Sequence, residues 1–232
     1  MRINKYLNGA GVASRREADR LIEAGKVTIN GKRAKLGDQM MEGDVVAVNG
    51  KKVAPPTVQT VIAFHKPVGL IVTTDTSMPD NVMDALRETS RPVPDVRLFP
   101  VGRLDVASSG LLLFTDDTAL ADRLMRPDSG TEKEYDVGVN RDVTPEFLEK
   151  LSKGVRILGL KTRPATVTKI GPARFRITLT EGKNRQIRRM CEGEGYNVLK
   201  LVRVRVGGVE LGDLPQGEWR PLTEEELASL YA

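Results

Sequence analysis

Val101–Thr115, V-G-R-L-D-V-A-S-S-G-L-L-L-F-T, is the stretch on which the fold turns. Leu111–Phe114 is a run of large apolar residues bounded by turn signals, the pattern of a buried strand. Asp105 stands at the mouth of that strand, between Arg103 and the turn Ser108-Ser109-Gly110. A polar group on a loop that a rigid strand holds in place is the usual layout of a reactive site. The plainer alternatives are a turn cap or a surface ion pair with Arg103, an interaction of small worth.

Composition limits the chemistry. The chain has 232 residues, enough for one large or two smaller domains with real cores. No stretch approaches a membrane span, and the N-terminal M-R-I-N-K-Y-L lacks the apolar run of a signal peptide. A single cysteine excludes an internal disulfide, so a cytoplasmic home is expected. A single histidine beside it leaves little for a zinc site or a Cys/His nucleophile pair. Chemistry therefore falls to carboxylates, Tyr, Lys and Arg. The net charge of +5 favours a polyanionic partner, nucleic acid first.

Residues 1–50 read as a small basic module. Ile3, Leu7 and Ala10 have helical spacing, closed by Gly9 and Gly11. Ser14-Arg15-Arg16-Glu17 is a capping box. It opens a helix to about Ala24, with Ala18, Leu21 and Ile22 inward and Gly25 as a left-handed C-cap. Arg16 and Arg20, four apart, share its outer face. Val27 and Ile29 alternate before Asn30-Gly31, a strong hairpin turn. Asp44–Val48 gives another strand, ending at Asn49-Gly50. Nine basic side chains, Arg15, Arg16 and Arg20 among them, face six acidic ones in this segment. The segment resembles the S4 RNA-binding domain, in S-R-R-E-A-D-x-x-I-x-x-G-x-V-x-x-N-G and in G-D-x-V at Gly43–Val46. The resemblance implies a two-helix face docking RNA through salt-sensitive phosphate contacts. Lys51–Thr60, with Pro55-Pro56, reads as a semi-rigid linker.

From residue 61 the pattern is mixed. Strands are expected at Val61–Phe64, Leu70–Thr73, Leu111–Phe114, Glu132–Val139, Thr162–Lys169, Phe175–Thr180 and Val198–Val206. Helices are expected near Val82–Leu86, after the acidic cap Asp116-Asp117, from Thr144-Pro145 to Gly154, over Asn184–Glu194, and after the capping box at Thr223. No regular βαβ rhythm appears. The expected class is α+β: a small S4 module, a linker at 51–60, and a mostly antiparallel mixed-sheet domain over 61–232.

Beside the Asp105 stretch, three pieces of that domain carry possible chemistry, each with a dull alternative. Lys66-Pro67-x-Gly69 is otherwise only a turn. Tyr135 is otherwise a half-buried strand aromatic. Gly182–Met190, G-K-N-R-Q-I-R-R-M, is otherwise a basic solvated helix face. There Ile187 and Cys191 point to the core, flanked by Arg185, Arg188 and Arg189. Together H-K-P-V-G, G-R-L-D-x-x-S-S-G-L-L-L-F-T, E-K-E-Y and E-G-x-N-R-Q-I-R-R-M-C resemble the pseudouridine synthases of the RsuA group. Within it the chain looks like the F type, which acts on large-subunit (23S) ribosomal RNA; the B type shares much of this.

The resemblance implies an enzyme without cofactor or metal that cuts the N1–C1′ bond of a uridine, turns the base and rejoins it through C5. The family's catalytic aspartate maps onto Asp105, its stacking tyrosine onto Tyr135, and the arginine that pairs with the aspartate onto Arg188. Arg103 matches an arginine that displaces the base and holds phosphate. Lys66 would support the cleft floor, and Arg185 and Arg189 would bind RNA backbone. The partners implied are large-subunit ribosomal RNA, with transfer RNA (tRNA) as a second candidate, and no membrane; a monomer is expected. A non-catalytic RNA-binding ribosome assembly factor is the alternative reading.

Overall fold

The computed structural model describes every residue except 55–58, 127 and 232. The Pro55-Pro56 spacer therefore lies outside the described residues. The chain forms two compact units. One comprises Met1–Thr60 with the short segments Asp95–Leu98 and Thr115–Thr118; the remainder forms the other.

In the first unit, helices α1 (Ile3–Gly9) and α2 (Arg15–Glu23) precede strands β1 (Val27–Ile29), β2 (Lys32–Arg33), β3 (Val46–Val48) and β4 (Lys51–Val53). The capping box forms in full: Glu17 N–H donates to Ser14 Oγ, and Ser14 N–H donates to Glu17 Oε2. Ile3, Leu7, Ala18, Ile22, Val27 and Val46 make one buried cluster. The sheet order is β2-β1-β3-β4. Asn30-Gly31 and Asn49-Gly50 both adopt positive φ at both positions, the type I′ geometry that closes two-residue hairpins. The second turn corrects the expected linker. Lys51–Val53 is a strand paired with β3, hidden from sequence reading because its two lysines are exposed.

The second unit runs β5 (Val61–Lys66), α3 (Val82–Arg87), β6 (Phe99–Pro100), β7 (Ser109–Thr115), α4 (Thr118–Met125), β8 (Lys133–Val139), α5 (Pro145–Lys153), β9 (Arg156–Ile157), β10 (Leu160–Lys161), β11 (Thr166–Gly171), β12 (Arg174–Leu179), α6 (Gln186–Gly193), β13 (Val198–Val206), β14 (Val209–Glu210), β15 (Trp219–Pro221) and α7 (Glu224–Tyr231). The main sheet has the order β11-β12-β8-β13-β7-β5-β15. β11, β12, β8 and β13 pair antiparallel, while β13 pairs parallel with β7. Leu70–Thr73, expected as a strand, contributes only an isolated bridge from Ile71 to Asn81. Asp116, expected as a helix cap, instead accepts the Thr60 N–H at 2.8 Å.

Two cores lie on this sheet. α5 and α6 bury Phe147, Leu151, Ile187, Met190 and Cys191 against Val137, Phe175 and Ile177. The other core joins Leu111 and Leu113 to Val61, Ala63, Leu120, Leu124, Val206 and Leu230. All of β7 is buried, in keeping with its unbroken apolar run. Full burial of each such side chain is worth about 1.5–3 kcal/mol, so β7 is a rigid base for the loop that precedes it. Among the described residues no helix is long and apolar enough to cross a membrane.

Candidate active site

The loop before β7 is fastened through its backbone. Four successive carbonyls, from Asp105 to Ser108, each accept a hydrogen bond. Ser108 N–H donates to Asp105 O at 3.0 Å, and Gly69 N–H to Val106 O at 2.8 Å. Arg188 Nη2 donates to Ala107 O at 2.7 Å. Lys66 Nζ donates to Ser108 O at 2.9 Å and Pro67 O at 2.8 Å, and more loosely to Asp105 O at 3.4 Å. Lys66 is fully buried. Burial pushes its ammonium down to about 8; the Asp105 charge opposes that fall and the Arg203 charge adds to it.

Asp105 and Tyr135 line one cleft of about 850 Å³, together with Lys133, Arg203 and, at its rim, Arg103 and Arg185. Tyr135 is half-buried on β8, facing the core side with Val137 and Val139. Arg103 and Arg185 are exposed. Arg185 adopts a left-handed backbone at the start of α6.

Arg188 stands differently from expectation. Among the described residues no ion pair joins it to Asp105. Its Nη1 donates to Val198 O at 3.1 Å and its Nη2 to Ala107 O, so carbonyls of β13 and of the Asp105 loop take the fork. Its Nε is buried without a partner. Burial and the neighbouring Arg185 lower its proton affinity, while Asp105, close enough to be felt, acts the other way. Arg188 lines a second, smaller cleft of about 460 Å³ with His65, Val68 and Lys200. His65 itself bonds Leu214 O through Nδ1 at 2.8 Å. Arg189 folds back on Asn184, with Nε on its carbonyl at 3.1 Å and Nη2 on its side-chain oxygen at 3.2 Å, and lines neither cleft. Arg15, Arg16 and Arg20 are exposed on α2 of the first unit.

Arg203 was not singled out by the sequence, and the cleft contains it. It sits opposite Tyr135 in register, on β13. Between Arg203 and Arg205 the ladder slips, so three residues of β13 face Tyr135 and Glu134 alone. Such a bulge re-aims side chains. Arg203 stays on the cleft face, whereas Arg205 turns to the other face and donates to Glu132 at 2.9 Å and Glu134 at 3.4 Å. The available signal was parity: Arg203, two residues on, shares a face of β13 with the buried Leu201.

Residues 60–193 match the family described as RNA pseudouridylate synthase, and residues 1–46 match the S4 domain. A Salmonella typhi protein named dual-specificity RNA pseudouridine synthase RluF is 47% identical over 99% of this chain and 78% of its own length. A Bacillus subtilis protein named ribosomal large subunit pseudouridine synthase B is 36% identical over 100% of this chain and 96% of its own. A solved structure described as a pseudouridylate synthase aligns over 99% of both chains, with a TM-score of 0.71 and 27% identity.

Proposed function

Because this chain belongs to the RNA pseudouridylate synthase family, we propose that it isomerises a uridine of large-subunit ribosomal RNA to pseudouridine, with a tRNA uridine as second substrate. The relatives' names support the substrate class: one is a large-subunit synthase, and a more similar one is called dual-specificity. The observation that carries the mechanism is the cleft that Asp105 shares with Tyr135. A cytoplasmic location fits the single cysteine.

In this reading the target nucleotide leaves its stack, at a cost of a few kcal/mol. Its base lies against Tyr135, and base–aromatic stacking returns roughly 1–3 kcal/mol. The Asp105 carboxylate then meets the ribose, either adding to C1′ or removing the C2′ proton. On both routes the N1–C1′ bond breaks and its electron pair leaves on the base. The base turns and C5 bonds to C1′, displacing the Asp105 carboxylate on the first route or with the proton returned to C2′ on the second. The C5 proton then departs to solvent and N1 takes one up. Asp105 must be ionised and aimed. Aim comes from the four bonded carbonyls of its loop, which fix the carboxylate before substrate arrives. Lys66 and Arg188 thus act as positioning residues, through the loop backbone. Arg103 and Arg185 at the rim meet phosphate, and Arg15, Arg16 and Arg20 add contacts from the S4 module; Arg189 braces the start of α6.

The test is tritium release from RNA carrying 5-tritiated uridine. Wild type should release tritium, and Asp105→Asn should lose at least about 10²-fold in rate while still binding RNA. Equal, negligible release by both proteins would favour the assembly-factor reading instead.

A further inference from the structure

Arg203 is only 3% exposed, and its Nε donates to Leu111 O at 2.7 Å. Among the described residues its guanidinium meets no carboxylate. A buried charge without a counter-ion is costly, so an anion is expected to arrive there. The surroundings are cationic as well. Lys133, half-buried on the same cleft, is lowered first by burial and then by the Arg203 charge; Lys66 is lowered by burial, with Asp105 opposing and Arg203 adding to the fall. Against Lys133 and Arg203 the cleft sets Asp105, with Lys66 buried behind its loop. The other nearby carboxylate, Glu181, is already committed to Lys183, to Gln186 and to the Arg163 N–H.

Two anions of an RNA substrate could answer this excess. Phosphates remain hydrated and suit the exposed rim, where Arg103 and Arg185 stand. The floor beside Tyr135 is where the synthase reading puts the flipped base. When the N1–C1′ bond breaks, that base keeps the bonding pair and becomes a uracil anion, with charge over N1, O2 and O4. From the juxtaposition of Arg203 and Tyr135 on paired strands, we propose that Arg203 is a further catalytic residue, donating hydrogen bonds to the detached uracil anion. The inference rests on the synthase reading. Arg203 keeps its proton throughout; the electron pair passes from the C1′ bond to the base, and the charge is relieved when C5 bonds to C1′, after which C5 loses a proton to solvent and N1 takes one up. A planar fork suits the N1/O2 edge better than an ammonium does, and the bulge keeps that fork on the cleft face.

The test compares Arg203→Gln and Arg203→Lys with wild type, in single turnovers on RNA bearing uridine or 5-fluorouridine at the target. Disappearance of the target nucleoside is read beside the RNA Kd. Fluorine makes the departing base a weaker base, so it needs less help. Arg203→Gln should slow the uridine reaction about 10²-fold, with Kd within about threefold. The deficit should shrink to about tenfold or less on 5-fluorouridine, and Arg203→Lys should fall between. Equal deficits on both bases, or a loss confined to Kd, would overturn the inference and leave the synthase reading standing. A wild type that converts neither RNA would overturn both. If Arg203→Gln shows no cooperative melt, the same comparison on Arg203→Lys decides.

Discussion

Lys66 shows how one residue couples charge to aim. Its ammonium is buried, bonded to three carbonyls, and loses its proton near pH 8 rather than near the ordinary 10.5. Below about pH 8 the ammonium donates all three protons to carbonyls of and beside the Asp105 loop and holds that loop fixed; the neutral amine has one donor fewer. The turnover rate should therefore fall as pH rises through about 8, and Lys66→Met should be slow with that limb absent. Stability moves the other way. Between about 8 and 10.5 the unfolded chain holds the proton that the folded chain has released, so folding gains with rising pH in that window. The stability difference between wild type and Lys66→Met should grow across it, as measured by denaturant melts beside single-turnover rates. A rate and a stability that decline together would point to simple unfolding. Lys66, Asp105 and Tyr135 could be singled out as candidates because turn and strand signals flank them, and the structure gathers Asp105 and Tyr135 in one cleft with Lys66 behind the loop. Arg188 could be singled out in the sequence as a candidate, but its bonding could not, because its acceptors, Ala107 O and Val198 O, are backbone atoms brought close only by the fold.

At the scale of the element, β13 decides the site. Its apolar alternation predicts a strand, and the strand is present over Val198–Val206. The slip between Arg203 and Arg205 is invisible in that alternation, because a bulge depends on the pairing partner. β15 escaped for a similar reason: Trp219–Pro221 contains a proline and is a strand only by pairing with β5. Where β13 meets β7, Gly110 has φ +111°, and a Cβ there would stand 2.3 Å from Arg203 O and 2.5 Å from Arg203 N. Gly110→Ala must push the two strands apart and carry Arg203 with them. We expect a loss of about 1–3 kcal/mol from backbone strain, and a lower turnover rate in the protein that still folds. Gly193→Ala is the control. It ends α6 with nothing within 4 Å of the added methyl, and should be neutral or stabilising by about 0.5–1 kcal/mol. Equal melting of Gly110→Ala and wild type would show that the close approach to Arg203 is not a constraint.

Across the whole molecule, the division of labour is electrostatic. The net charge of +5 is distributed over both units, but only the second contains Asp105 and Tyr135. Arg16 and Arg20 are exposed on α2 and, among the described residues, form no ion pair, so their charges are available to phosphate. Each phosphate neutralised releases counterions, and the logarithm of the binding constant falls with the logarithm of salt in proportion to their number. Replacing Arg16 and Arg20 by Ala should therefore weaken RNA binding and reduce the salt slope by about one per lost contact, so by about two. The cleft that holds Asp105 and Tyr135 is built from other residues. At saturating RNA the single-turnover rate of the double variant should stay within about twofold of wild type, since binding lost equally from ground and transition states leaves the chemical step alone. An unchanged salt slope would deny these arginines a phosphate. A fall in the saturated rate as large as the fall in affinity would mean instead that S4 contacts help to seat the target uridine.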